Sequence, residues 1–158
     1  MSAADDLELL AERTGVMLSA FLSPGPEAAA AMLALRPRPE DFARVFAPAV
    51  AGGMAQAYAP LWRKPPLIQG KSHQTQVRVF VRRAVDLALE SDAAQTFPAG
   101  YRAIASYLQP DPVWIRWKFT APGTRLGTAY EGIVALDDRW AWFPRPHIIL
   151  PMLLEHSS

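Results

Sequence analysis

At 158 residues and 17.4 kDa, the chain has the length of one ordinary domain and enough surface to bury a single core. Hydrophobic residues make up 51% and charged residues 20%, a balance too apolar for disorder and not apolar enough for a membrane protein. The absence of cysteine excludes disulfide frameworks, thiol nucleophiles, iron–sulfur clusters and thiolate zinc sites, and a net charge of +1 by itself names no electrostatic partner.

The first third reads as helical. Ser2 followed by Asp5 forms a capping signal, and Leu7, Leu10, Thr14, Met17, Leu18 and Phe21 recur at three- and four-residue spacing, which predicts an amphipathic helix over roughly 3–22. The acidic opening, Asp5, Asp6 and Glu8, stands where a secretory leader needs positive charge and an apolar stretch, so the expected location is the cytoplasm. Pro24-Gly25-Pro26 ends that helix and Pro26 starts a short one through Leu35. From Pro39, the face Phe42, Val45, Phe46, Ala49, Val50, Gly53, Met54 and Ala57 predicts a third helix of about five turns, kinked at Pro48 and loosened for close packing at Gly52-Gly53. Val45 to Trp62 is uncharged, but its prolines, glycines and alanines favour a buried helix over a membrane span.

After Pro60, Pro65 and Pro66 the period changes. Val77, Val79 and Val81 alternate with Gln76, Arg78, Phe80 and Arg82, which predicts a strand, and Val85, Leu87 and Leu89 favour its continuation. Phe97–Gly100 reads as a turn and 101–108 as a short helix. Then Val113, Ile115, Trp117 and Phe119 alternate with Trp114, Arg116, Lys118 and Thr120, Pro122-Gly123 turns the chain into a strand over about 126–136, and Asp137-Asp138 turns it into another over 139–143. The pattern is an antiparallel meander in an α+β chain of one domain: helices over about 1–62, mainly strands over 73–145, and an apolar tail from 146. In that tail Pro146 and Pro151 favour an extended segment, packed back on the domain or against a second subunit.

Three helical segments before the sheet, and the closing hairpin Tyr130-Glu131-Gly132-Ile133-Val134-Ala135-Leu136-Asp137-Asp138-Arg139-Trp140-Ala141-Trp142-Phe143, resemble the NTF2-like superfamily of cone-shaped domains. A hairpin of this pattern also closes cystatin-like sheets. The resemblance implies N-terminal helices packed on a curved antiparallel sheet, a pocket inside the curl, and a homodimer formed across the sheet. It implies no reaction, because that superfamily holds dehydratases, isomerases and non-catalytic binding subunits, and no motif aligns a catalytic residue.

No local motif carries chemistry unaided. Gly70-Lys71-Ser72 ends like a phosphate loop, but Pro65 replaces the leading glycine and a strand follows where a helix is needed. His73, His147 and His156 lack metal-ligand spacing, so no metal or other cofactor is expected, and no serine sits in a nucleophile elbow. Asp137-Asp138 reads as a turn. Arg78, Phe80 and Arg82 would lie beside Trp114, Arg116 and Lys118 if their strands pair, an arrangement suited to anions, although a solvated sheet face has the same pattern and nucleic acid is disfavoured as a partner.

Aromatic density is the feature least like an average chain. Trp140 and Trp142 share a face, with Trp117 and Tyr130 on neighbouring strands, and these rings make either a core or an apolar pocket in which Tyr58, Tyr130 or Arg116 orients a ligand. Tyr58, Trp117, Tyr130, Trp140 and Trp142 are therefore the candidate ligand residues. The expected function is a non-catalytic module that binds a small apolar molecule or a partner protein. The competing expectation is a cofactor-free lyase or isomerase with a buried tyrosine or carboxylate hydrogen-bonded to a second polar group.

Overall fold

A computed structural model of the chain describes residues 2–89 and 97–156. It is an α+β fold in which helices precede an open sheet of four antiparallel strands in the order β1-β2-β3-β4. Helix α1 (Ala3–Leu18) begins with the expected capping box: the Ser2 hydroxyl accepts from Asp5 N at 3.1 Å, and the Asp5 carboxylate accepts from Ser2 N at 3.2 Å. Its last turn tightens into a 3₁₀ segment, Ser19–Leu22, and α2 (Pro26–Ala34) starts at proline as expected.

The predicted five-turn helix is two helices, α3 (Asp41–Val45) and α4 (Pro48–Arg63). Proline forces the residue before it out of the helical region, and Ala47 adopts ψ 150°. Pro48 then starts a new helix at a position where its missing N–H costs nothing. The freed backbone pairs elsewhere: Ala47 N donates to Tyr107 O at 2.8 Å, and Gln109 N donates to Val45 O at 2.9 Å.

Strand β1 (Gln76–Arg83) pairs with β2 (Val113–Thr120), placing Arg78 opposite Lys118, Phe80 opposite Arg116 and Arg82 opposite Trp114. Its favoured continuation does not occur, and Ala84–Ala88 is a 3₁₀ helix. The partner strand begins at Val113, and beyond it Pro112 and Pro110 have no N–H to extend the ladder. Their carbonyls instead accept from Ala84 N at 2.9 Å and Val85 N at 3.1 Å. Helix α5 spans Gly100–Ile104.

Strands β3 (Gly127–Leu136) and β4 (Arg139–Trp142) complete the meander, with Asp137 at φ 54° in the turn between them. The register shifts between Ile115 and Arg116, which face Ile133 and Glu131 and leave Gly132 bulged at φ 103°. An added Cβ at Gly132 would run into Phe143 O, so only glycine fits there.

The tail is not extended. Residues Pro146–His156 form α6, which packs back on the chain: Leu150 is fully buried, and Leu153 lies so close to Gly53 of α4 that a Cβ there would meet its methyl at 2.7 Å. Pro146 sits in the first turn, and the one hydrogen bond lost at Pro151 is set against the burial of Leu150, about 2 kcal/mol, and the partial burial of Leu153 and Leu154.

The odd-numbered face of β1 and β2 turns to α1, where Trp140 Nε1 donates to Thr14 Oγ1 at 3.0 Å. On the other face Trp114, expected beside solvent, is fully buried against Phe46, Tyr101 and Phe143, and Thr120 is buried at the opposite end of the strand. Among the described residues, no helix is long and apolar enough to cross a membrane.

Candidate functional site

Three of the five candidate ligand residues, Trp117, Tyr130 and Trp142, come together as packing. Trp117 stacks on Tyr130 with centroids 5.5 Å apart and meets Trp142 edge-on at 6.3 Å, while Trp140 is held by Thr14. Tyr58 lies apart, against Phe42 and Phe143, and its hydroxyl donates to Pro144 O at 2.9 Å. Tyr58, Trp117 and Trp142 are buried, and Tyr130 and Trp140 half-buried.

Tyr130 reaches beyond this packing. Its hydroxyl accepts from Gln69 N at 3.0 Å and donates to Gln69 O at 2.9 Å, with Leu67 O at 3.3 Å. Those bonds pin residues 67–69, which form one wall of an apolar cleft of about 240 Å³. The other walls are Phe21 at its base, Pro24 and Gly25, and Ala28, Ala29 and Met32 of α2. Ile68 and Phe21 are buried, whereas Leu67 at the rim is 70% exposed. None of the five nominated residues lines this cleft, and Tyr130 acts on it only through the backbone it anchors. Nothing in the local pattern around Leu67-Ile68-Gln69 marks it as a wall, because its partner helix lies some forty residues earlier in the chain.

A second arrangement centres on Glu131, whose side chain turns to the face opposite Tyr130. Glu131 Oε2 accepts from the Tyr101 hydroxyl, and Oε1 accepts from Arg145 N at 3.0 Å. Burial pushes the carboxyl up to about 7, against the lowering influence of the Arg145 amide and charge. Burial, and then the Glu131 charge, hold the Tyr58 hydroxyl well above its ordinary value of 10.0. The His147 ring lies 5.1 Å from that of Tyr101, with its Nδ1 buried and lacking a hydrogen bond, and burial followed by the Arg145 charge lowers its pKa. A half-buried carboxyl bonded to a phenol can hold or pass a proton near neutral pH. Glu131 had a signal in the sequence, as the one charged residue of a ten-residue strand, whereas Tyr101 had none.

The other acid–base pair is structural. Asp41, fully buried, accepts from Arg139 Nη1 at 2.8 Å and Nη2, and from Arg38 N at 2.8 Å. Burial alone would raise its pKa, but these hydrogen bonds and cationic charges hold it below 3.8. Asp137 of the turn faces Arg44 at 3.1 Å in an exposed ion pair. Among the described residues, no three histidine or carboxylate side chains are grouped to hold a metal. The chain matches no family model, no curated protein and no solved structure.

Proposed function

We propose that the chain is a binding module that takes a small apolar molecule in the cleft between α2 and residues 67–69. The observation that carries this reading is the cleft itself: about 240 Å³, walled by apolar side chains and pinned on one side by Tyr130. A preformed wall loses little entropy when a ligand enters, and a volume below that of drug-sized pockets suits a single ring or a short alkyl chain. Toluene and hexan-1-ol are suitable probes in an NMR titration of the full chain. Saturable shifts at Ala28, Met32 and Ile68, abolished in Ala28→Trp with the remaining spectrum intact, are expected. Shifts that do not saturate, or that survive in Ala28→Trp, would overturn the reading. Native mass spectrometry of the same sample reports any retained mass and counts the subunits of the proposed homodimer.

The competing reading, a cofactor-free lyase or isomerase, is favoured by one observation, the bond between Tyr101 and the Glu131 carboxyl. In it, the carboxyl removes a proton next to a substrate carbonyl, and the phenol holds the carboxyl in place. Deuterium exchange into a panel of enolisable ketones in heavy water tests this. Exchange catalysed by the wild type and lost in Glu131→Gln would support the enzyme, and equal exchange in both would sink it.

A further inference from the structure

The face of the sheet that carries Glu131 is covered at the Trp114 end by Phe46, Tyr101 and Phe143 and is buried again at Thr120, and between them it is partly open, with Phe80, Arg116 and Lys118 half-buried and Arg78 exposed. The open part holds two rows of register partners. One runs Phe80, Arg116, Glu131, and the other Arg78, Lys118, Ala129. The Glu131 carboxyl is turned to Tyr101 and Arg145, which leaves three cations and one ring among the described residues of these two rows.

Those cations have no carboxylate partner among the described residues. Arg78 Nη2 donates to Thr124 O at 3.4 Å and Lys118 Nζ to Arg125 O at 3.3 Å, both uncharged backbone acceptors. The Arg116 guanidinium lies 5.6 Å from the centroid of the Phe80 ring, and burial lowers its pKa. A half-buried guanidinium with five donors and only a ring beside it is ready to take an anion bidentately.

We propose that this open patch binds a small aromatic anion, its phosphate or carboxylate held by Arg116, Lys118 and Arg78 and its ring set against Phe80. The dimensions decide between occupants. Strands lie about 4.8 Å apart and same-face residues about 7 Å apart along a strand, so three strands by two rows offer roughly 10 by 7 Å. That is room for one ring and one anionic group. Single-stranded nucleic acid takes a track of about four nucleotides or more on each binding fold, several times that length. The patch lies on the opposite sheet face from the Tyr130 hydroxyl that anchors the apolar cleft, so the two sites are independent.

The test is an NMR titration of the full chain with phenyl phosphate, with inorganic phosphate and a thymidine oligonucleotide in parallel. Saturable shifts at the amides of Phe80, Arg116 and Lys118 are expected, with binding weakened about tenfold in Arg116→Gln and in Lys118→Gln and lowered by added salt. Phe80→Leu keeps the charges and is expected to bring phenyl phosphate down to the affinity of inorganic phosphate. Three outcomes would overturn the proposal: no saturable shift up to about 10 mM, equal binding in both charge variants, or an oligonucleotide that binds more tightly than phenyl phosphate through the same residues.

Discussion

Glu131 ties three parts of the chain together at one carboxyl: its own strand, Tyr101 of α5 and the backbone of Arg145 ahead of α6. Its pKa of about 7 means that the folded protein holds this proton more tightly than the unfolded chain does. The stability it contributes is therefore whole below about pH 4.5 and is lost as the pH rises through about 7, in total about 3 kcal/mol. His147 acts with the opposite sign, since its lowered pKa favours the neutral ring and its contribution is lost as the pH falls. The informative quantity is thus the difference between wild type and Glu131→Gln, whose amide oxygen still accepts from Arg145 N, whose NH2 donates to the Tyr101 hydroxyl in place of accepting from it, and which cannot ionise. Urea denaturation is expected to show the variant gaining on the wild type from pH 5 to pH 8 by up to about 3 kcal/mol. A constant difference would mean that the carboxyl titrates normally. Asp41 offers the reverse case: Asp41→Asn leaves the Arg139 charge without its carboxylate, at an expected cost of about 3 kcal/mol at neutral pH. That cost shrinks in acid, as the wild-type carboxylate itself becomes protonated below 3.8.

At the scale of elements, most of the secondary structure was legible because it is written in local patterns. The capping box at Ser2, the proline that opens α2 and the period-two strands each depend on residues within a few positions of one another. What was not legible depended on distant partners. Whether 84–88 extended β1 was decided by two prolines on the neighbouring strand, and α6 was decided by α4, which offers Gly53 to Leu153. Gly53→Val places a branched side chain where Leu153 now lies and should lift α6 off α4. The expected cost is about 2 kcal/mol, with faster amide exchange across 146–156 than in the strands. Uniformly faster exchange throughout the chain would show instead that α6 and the core open together. Leu150 is fully buried on the same helix, so the exchange pattern also measures how deeply α6 is integrated.

For the molecule as a whole, Phe143 is the joint between layers. Its ring meets Phe42 of α3, Phe46 beyond it, Tyr58 of α4 and Trp114 of β2, all within 6.2 Å between centroids. Helices and sheet that share one ring cannot lose their packing separately, so thermal unfolding should be a single transition. Four of the five tryptophans lie on strands, which makes tryptophan emission a report on the sheet, while far-UV circular dichroism reports on the helices. The two curves are expected to coincide. Removing the joint sharpens the test. Phe143→Ala should cost about 4 kcal/mol and lower both midpoints together by about 10 °C. If the helical signal instead melted first and the tryptophan signal held its wild-type midpoint, the helices would form a separate cooperative unit, and the aromatic cluster that the sequence made conspicuous would be two cores.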